Sequence, residues 1–225
     1  MKIDILTLFP EMFDGFLNTS IIKRARDNGN VIINVHNFRD YSLDKHGRVD
    51  DYPYGGGAGM VLMCEPIFRA IEAIRTDDSL VIMLSPSGQV FSQKMAREFS
   101  LSKHIILLCG HYEGFDERIK TIVDMELSIG DYVLTGGEVP SMVITDAITR
   151  LIPGVISSES LDSESFDDNL LDYPNYTRPE EFRGMKVPEV LLSGHHKNIE
   201  QYRRNEQIRL TNMNRKDLSG GENDG

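Results

Sequence analysis

The sequence predicts an α/β fold in which a mainly parallel β-sheet carries helices on both faces. Short apolar segments at 3–8, 80–84 and 105–109 have the length of buried strands. Alternating apolar residues around 31–35 predict a further, half-buried strand. Helical patterns separate these segments. Strands that alternate with helices pair in parallel, and this predicts the fold class.

The intervening helices are predicted from apolar residues at helical spacing. They lie at 10–17, 21–28, 65–75, 92–101 and 138–152, and Pro153-Gly154 ends the last one. Residues 39–63 are rich in Asp, Gly and Tyr and are expected to form a long loop. Loops of that length in compact domains are often functional.

Composition narrows the function classes. The formal net charge of −11 argues against a nonspecific nucleic-acid binder, although it allows a local basic face. With only Cys64 and Cys109, a disulfide framework or a zinc site of cysteine pairs is excluded, and a reducing cytoplasm is expected. No apolar run reaches the ~20 residues that span a bilayer, so no membrane partner is expected.

A change of composition predicts the domain organisation. Residues 157–168 are polar and acidic, as a flexible linker would be. The linker separates a sheet domain at 1–156 from a small helical domain at 169–225, in which 198–213 has the pattern of an amphipathic helix. Residues 220–225 are expected to be a frayed tail.

Three glycine-containing segments follow predicted strands, at 85–88, 110–114 and 130–137. Glycine lets backbone approach a ligand closely. In open α/β sheets, ligands bind beyond the carboxyl ends of the strands. The sequence therefore predicts one pocket, lined by all three segments and walled mainly by backbone.

Other motifs have ordinary explanations when taken alone. The G-x-G-x-G within residues 55–59 follows no strand, so a Rossmann phosphate loop is disfavoured. Adjacent His195 and His196 on a helix point in different directions and do not predict a metal site. Arg150 stands four residues after Asp146 and matches an ordinary helix ion pair. Glu164 lies in the acidic linker, where a solvated carboxylate is typical.

Taken together, the segments resemble the bacterial tRNA (guanine-N1)-methyltransferases, a family of the SPOUT superfamily of knotted methyltransferases. The matching blocks run almost from end to end of the chain, and include 7–13, 44–46, 49–60, 108–118, 128–138, 152–155, 170–179 and 187–196. The resemblance implies a deep trefoil knot in the C-terminal part of the sheet domain. It also implies a homodimer, with the site at the subunit interface.

The resemblance implies S-adenosylmethionine as the cofactor, bound in the knot. The corresponding cofactor positions are Leu84, Ser85, Pro86, Ser87, Gly88, Gly110, Tyr112, Glu113, Gly114, Ser128, Ile129, Gly130, Asp131, Tyr132, Val133, Leu134, Gly136, Gly137 and Pro140. Members of the family tend to need Mg²⁺, which is kept as a second candidate cofactor although no ligand cluster in the sequence predicts a metal site.

The implied reaction is methylation of N1 of the guanine immediately 3′ of the tRNA anticodon. Guanine N1 carries a proton at neutral pH, so a carboxylate base is needed, and a guanidinium at O6 would stabilise the developing charge. The family pattern places the base at Glu164, with Asp162 and Asp167 as rivals, and the guanidinium at Arg150. The tRNA contacts are assigned to Asp50, Tyr54, Gly55, His195, His196 and Arg203.

Two alternatives stay open at this level. One is another knotted RNA methyltransferase with a ribosomal RNA or ribose target; the blocks at 50–60 and 170–179 argue against it, because they resemble the tRNA enzyme specifically. The other is a non-catalytic RNA-binding module, which the intact cofactor segments, Arg150 and the carboxylate of Glu164 disfavour. Asn169 stands where the family usually has Gly, and a left-handed backbone is expected there.

Overall fold

A computed structural model of the chain describes residues 1–157, 165–166 and 169–219. The described chain divides into two compact units, Met1–Ile156 and Ser157–Gly225. The predicted linker at 157–168 lies largely outside the described residues. In the part of the chain that is described, no helix is both long enough and apolar enough to cross a membrane.

The first unit is built on a five-stranded parallel sheet. Its strands, with those of a small antiparallel hairpin, are β1 (Lys2–Thr7), β2 (Ile32–Asn37), β3 (Asp50–Asp51), β4 (Val61–Leu62), β5 (Ser79–Val90), β6 (His104–Cys109) and β7 (Met125–Ser128). The sheet order is β2-β1-β6-β5-β7, and every neighbouring pair is parallel. The hairpin consists of β3 and β4. The predicted parallel α/β sheet is confirmed.

Five α-helices belong to this unit: α1 (Asp14–Leu17), α2 (Ser20–Asp27), α3 (Cys64–Ile74), α4 (Gln93–Ser100) and α5 (Glu138–Thr149). Short 3-10 helices cover Pro10–Phe13, Phe38–Tyr41 and Glu117–Ile122. The Ser92 side chain accepts a hydrogen bond from the backbone N–H of Met95 and so begins α4.

The core has two layers because side chains alternate along each strand. In the fully buried β6, Ile105 and Leu107 pack in the cluster that holds the apolar residues of α2, α4 and α5. Ile106 and Leu108 pack in the other cluster, with the apolar face of α3. Helices therefore cover both faces of the sheet, and β6 lies at its centre.

A charged group is buried near the amino ends of the strands. Asp4 is fully buried, and its Oδ1 accepts hydrogen bonds from Asn34 Nδ2 at 2.8 Å and His36 Nε2 at 2.9 Å. Its Oδ2 lies 2.6 Å from Lys2 Nζ and 2.7 Å from His104 Nε2. Burial opposes the charge, but the hydrogen bonds from these four partners outweigh it and hold the pKa of Asp4 well below its usual range.

Strand β5 is longer than predicted. The sequence predicts a strand at 80–84 and then a turn, whereas the structure continues the strand to Val90. Leu84 and Gln89 are both paired with Leu127, so the residues between them are extra in the ladder and form an irregularity. Pro86 lies within this irregularity, where its missing N–H costs no ladder hydrogen bond.

Two further boundaries differ from the prediction. The segment predicted as a loop at 39–63 contains the β3–β4 hairpin, in which Asp50 is opposite Leu62. Helix α5 ends at Thr149 and does not reach 152. Leu151 and Ile152 extend the apolar pattern, but their N–H groups bond to the carbonyls of Ile148 and Thr149 in a tight turn.

The second unit is described by itself. It contains a two-residue hairpin, β8 (Glu181–Phe182) and β9 (Met185–Lys186), then α6 (Glu189–Leu192), α7 (His196–Asn214) and a 3-10 helix at Lys216–Ser219. Helix α7 includes the helix predicted at 198–213. Asn169 has φ of 57°, the left-handed backbone expected there. Within the unit, the Thr211 hydroxyl accepts from the backbone N–H of Leu171 at 2.9 Å.

Candidate active site

A cavity of about 330 Å³ opens at the carboxyl ends of β6 and β7 and beside the irregularity of β5. This is the lower end of the size range of ligand pockets. Three segments surround it, as the glycine pattern predicts. The lining residues are Met83, Leu84, Ser85, Pro86, Ser87, Gly110, His111, Tyr112, Glu113, Gly114, Phe115, Glu117, Lys120, Leu127, Ser128, Ile129, Gly130, Tyr132, Val133, Leu134, Thr135, Gly136, Gly137 and Pro140.

All but two of the residues assigned to the cofactor line this cavity. The exceptions are Gly88 and Asp131. Asp131 is exposed. A Cβ added to Gly88 would lie 2.5 Å from the backbone of Glu126 and Leu127. The missing side chain of Gly88 therefore allows β5 to pack against β7, which explains a glycine at this position without a ligand.

Backbone packs on backbone where the two glycine loops meet. The N–H of Gly137 donates to the carbonyl of Gly110 at 2.8 Å, and His111 forms an antiparallel bridge with Gly136. A Cβ on Gly137 would lie 2.7 Å from Cys109 Cα. These glycines are needed because no side chain fits between the loops.

A buried carboxylate lies beneath the second loop. Glu138 is the first residue of α5, is 2% exposed, and accepts a hydrogen bond from Thr7 Oγ1 at 2.8 Å through Oε1. The amino end of a helix favours a negative charge. A Cβ on Gly136 would collide with Glu138 Oε2 and lie 2.7 Å from His111 Nδ1. Glu138 thus fills the space behind Gly136 and supports the loop.

The cysteine at the end of β6 is not activated as a nucleophile. Cys109 is buried at the end of β6, and burial raises the pKa of its thiol far above the usual value. A thiol that stays protonated is a poor nucleophile, so the cavity contains no activated cysteine at this position.

Three charged side chains that the sequence did not predict, Glu117, Lys120 and Glu126, group with the predicted Ser85 and Ser87 beside the cavity. Ser87 Oγ is 3.0 Å from Glu126 Oε2 and 2.7 Å from Ser85 Oγ. Lys120 Nζ is 3.3 Å from Glu126 Oε1 and 3.2 Å from Glu117 Oε1. Both contacts raise the pKa of Lys120, and the contact with Glu117 has the larger effect. We call these five residues the polar corner.

The glycine-rich hairpin is attached to the cavity through backbone hydrogen bonds. Glu113 N–H donates to the carbonyl of Met60 at 3.1 Å, and Leu62 N–H donates to that of Gly114 at 2.9 Å. The predicted tRNA contacts Asp50, Tyr54 and Gly55 belong to this hairpin and its turn; Tyr54 is fully exposed and Gly55 has φ of 88°. They are therefore connected to a turn that lines the cavity.

The predicted catalytic residues are only partly described. Arg150 caps the carboxyl end of α5, and its backbone N–H donates to the carbonyl of Asp146 at 3.1 Å. Its side chain is partly buried. Glu164 and its rivals Asp162 and Asp167 lie outside the described residues.

The remaining predicted tRNA contacts belong to the second unit. His195 caps the amino end of α7, His196 is the first residue of that helix, and both are exposed. The Arg203 guanidinium lies 4.7 Å from the centroid of the Tyr173 ring. Within residues 1–157, 165–166 and 169–219, no group of three or more His, Cys, Asp or Glu side chains is arranged to hold a metal ion.

Comparison with known proteins gives the same family along the whole chain. The model of the family described as tRNA (Guanine-1)-methyltransferase TrmD matches residues 1–221. A tRNA (guanine-N(1)-)-methyltransferase of Ureaplasma urealyticum is 62% identical over 219 residues, which are 97% of this chain and 96% of the relative. A protein of the same name from Dictyoglomus turgidum is 56% identical, over 97% of this chain and 89% of the relative.

Proposed function

This chain belongs to the tRNA (guanine-1)-methyltransferase family, and we propose that the guanine it methylates lies immediately 3′ of the tRNA anticodon. The activity follows from the family: the chain is an enzyme that transfers a methyl group from S-adenosylmethionine to N1 of guanine in tRNA. The observation that carries the site assignment is the cavity at the carboxyl ends of β6 and β7 and beside the irregularity of β5, which nearly all the predicted cofactor positions line.

The cavity fits this cofactor by its chemistry. Gly110, Gly136 and Gly137 line it without side chains, so that a flat adenine ring can approach the backbone closely there. When bound, the sulfonium supplies an electrophilic methyl group. The residues that line the cavity would bind and orient it.

Arg150 and Glu164 are assigned to the guanine. Removal of the N1 proton leaves negative charge on O6, which a fixed guanidinium stabilises as it develops. A carboxylate within hydrogen-bond reach of N1 accepts the proton. We assign the first role to Arg150 and the second to Glu164, with Asp162 and Asp167 as the alternatives for the base.

The length of α5 favours a site completed by a second copy of the chain. The helix has 12 residues, so Arg150 at its carboxyl end lies about 18 Å along the axis from the cavity loops. That distance exceeds the reach of an arginine side chain. The arginine that serves a given cavity is therefore assigned to the partner subunit of a homodimer.

Exposed apolar side chains beside the cavity are consistent with that homodimer. Val139 and Val143 stand one turn apart on α5 and are 47% and 43% exposed, and Val133 in the cavity loop is 86% exposed. Apolar residues grouped on a surface in this way are typical of protein interfaces. A homodimer interface at this place would cover these side chains.

The other parts of the proposal follow the family. The segment from β5 to α5 is assigned to a trefoil knot, residues 157–168 to a linker that carries the base, and 169–225 to a tRNA-binding domain. Asp50, Tyr54, Gly55, His195, His196 and Arg203 are assigned to tRNA contacts. The enzyme is assigned to the cytoplasm, and Mg²⁺ is retained only as a candidate second cofactor.

The test is methyl transfer from labelled S-adenosylmethionine to tRNA transcripts that differ only in the base 3′ of the anticodon. Guanine there should accept the label and adenine should not. Mass spectrometry of nuclease fragments should place the methyl group at N1. Equal labelling of both transcripts would disprove the target position. A methyl group on ribose, or labelling of ribosomal RNA assayed in parallel, would favour the alternative of a knotted methyltransferase with another RNA target.

Arg150→Ala tests the catalytic assignment. We expect kcat to fall by about 100-fold or more, because one positioned donor to a developing oxyanion contributes that much. Affinity for S-adenosylhomocysteine, measured by calorimetry, should stay within about twofold, because Arg150 is assigned to O6 of the guanine and not to the cofactor. Arg24→Ala, an exposed change on α2, is the control. Activity of Arg150→Ala within a few-fold of the unchanged enzyme would contradict the role.

A further inference from the structure

We propose that Ser165 and Phe166 are positioning residues, which attach the chain beside the proposed base, Glu164, to the second unit. The inference rests on the proposed function, because it concerns how the assigned carboxylate is placed against the guanine. Ser165 and Phe166 are described and belong to the same compact unit as α7. The two residues and their partners form what we call the anchor: Ser165, Phe166, Leu170, Asp172 and Arg215.

Two hydrogen bonds hold the chain at 165–166 against the chain at 170–172. The Phe166 N–H donates to the carbonyl of Leu170 at 2.6 Å, and the Asp172 N–H donates to Ser165 Oγ at 3.0 Å. Phe166 has φ of 73°, which is rare for a bulky residue. Such a backbone conformation persists only where the surrounding contacts fix it.

The Phe166 ring adds a contact with the end of α7. The Arg215 guanidinium lies 5.7 Å from the centroid of the ring, which is within the range of a cation–π contact. Asp217 holds the same guanidinium, through Nε and Oδ1 at 2.9 Å and through Nη2 and Oδ2 at 2.6 Å. The ring therefore packs against a guanidinium whose own position is fixed.

The anchor is also connected to the interior of the second unit. Thr211 on α7 is fully buried, and its hydroxyl donates to the carbonyl of Gln207 at 2.7 Å. The same hydroxyl accepts from the N–H of Leu171 at 2.9 Å. Leu171 lies between the two residues whose backbone bonds to Ser165 and Phe166, so these contacts tie the anchor to α7.

The anchor determines where the chain that carries Glu164 leaves the second unit. Glu164 is joined covalently to Ser165, and consecutive Cα atoms are about 3.8 Å apart. A general base must lie within hydrogen-bond reach of the proton that it removes, and a displacement of about 1 Å can cost a large factor in rate. Because the second unit is assigned to tRNA, the anchor places the base relative to the bound tRNA.

Two insertions of one glycine each test the anchor on the full chain. One lies between Glu164 and Ser165 and separates the base from the anchor; the other lies between Ser158 and Glu159, on the far side of the base. Single-turnover methyl transfer is measured at saturating tRNA and S-adenosylmethionine. We expect the first insertion to lower the rate constant by about 100-fold. The second should stay within about threefold, because added loop length costs little.

Substitutions that keep the chain length should act in the same direction. Ser165→Ala removes the acceptor of the Asp172 N–H, and we expect a rate constant about tenfold lower, with KM for tRNA within about twofold. Phe166→Ala should do the same, and Ser165→Thr, which keeps the hydroxyl, should restore the rate. Raising the pH should recover part of each loss, because N1 then loses its proton to solvent. Ser100→Ala, whose hydroxyl bonds within its own turn of α4, is the matched control.

The outcomes separate this inference from the proposed function. Equal effects of the two insertions would overturn it, and so would unchanged rates in Ser165→Ala and Phe166→Ala. A loss confined to KM for tRNA would also overturn it, because the anchor would then serve only the fold of the second unit. Glu164→Gln is measured in the same assay. If it is inactive while the anchor variants are active, only this inference fails; if it is active, the base assignment and this inference fail together.

Discussion

The glycine-rich hairpin and the glycine loops of the cavity look alike in sequence but differ in their surroundings. Gly55, Gly56 and Gly57 all have positive φ, and an added Cβ would meet nothing within 4 Å. At Gly137 the backbone has an ordinary negative φ, but an added Cβ would meet the backbone of Cys109 and Gly110. Glycine is required in the hairpin by the backbone conformation, and at position 137 by close packing.

The difference shows that glycine content alone does not identify a ligand site. A positive φ allows a turn to form and leaves the surrounding space open. A glycine without room for a Cβ brings two backbone segments together, and only this arrangement builds a wall from N–H and C=O groups. Substitution by alanine distinguishes the two kinds of glycine. It strains the backbone where φ is positive, and it causes a collision where there is no room for a Cβ.

Gly137→Ala should have the largest effect. Its Cβ would lie 2.7 Å from Cys109 Cα and 2.8 Å from Gly110 N, so backbone must move. We expect a loss of stability of about 2–3 kcal/mol, as for other overpacked sites, together with loss of most cofactor affinity. Thermal unfolding and calorimetry with S-adenosylhomocysteine measure the two effects. If both stay unchanged, close packing is not the reason for this glycine.

Gly59→Ala should have an intermediate effect. Its φ is 83°, and its Cβ would collide with the side chain of Glu113, which lines the cavity. A flexible side chain can move aside, so the stability cost should be about 1 kcal/mol, mostly from the backbone. The displaced Glu113 should lower kcat/KM for tRNA by about tenfold. Steady-state kinetics decide this, and an unchanged kcat/KM would show that the hairpin and cavity work independently.

Gly56→Ala should have the smallest effect. Its φ is 79° and its surroundings are open, so we expect only the cost of a left-handed alanine, about 1 kcal/mol or less if the turn relaxes. Affinity for S-adenosylhomocysteine should not change, which calorimetry would verify. A large loss of cofactor affinity would mean that this part of the hairpin also forms the cavity, and the contrast between the two regions would disappear.

Local sequence patterns were sufficient for most of the fold. The apolar runs of β1 and β6 and the spacing in α3 depend on neighbours in the sequence, and these elements lie close to their predicted positions. The extension of β5 past Pro86 was missed because it depends on the partner strand, where Leu127 pairs on both sides of the irregularity. A proline in a strand otherwise argues for its end.

The site was predictable only in part, for the same reason. The glycine loops could be located because each directly follows a strand. The polar corner could not, because Lys120 and Glu117 have the i,i+3 spacing of an ordinary surface pair. Their link to Ser87 through Glu126 exists only because β7 lies next to β5 in the sheet. The order of the strands in the sheet cannot be predicted from any local sequence pattern.

The buried Asp4, near the amino ends of the strands, makes the stability of the sheet depend on pH. Because the pKa of Asp4 is lowered in the folded state, its stabilising contribution is complete above the ordinary aspartate pKa and is lost as the pH falls below it. Its partners lie on β1, β2 and β6, so protonation would loosen three strands together. Acidification should therefore weaken the pairing of these three strands before it separates the cavity loops.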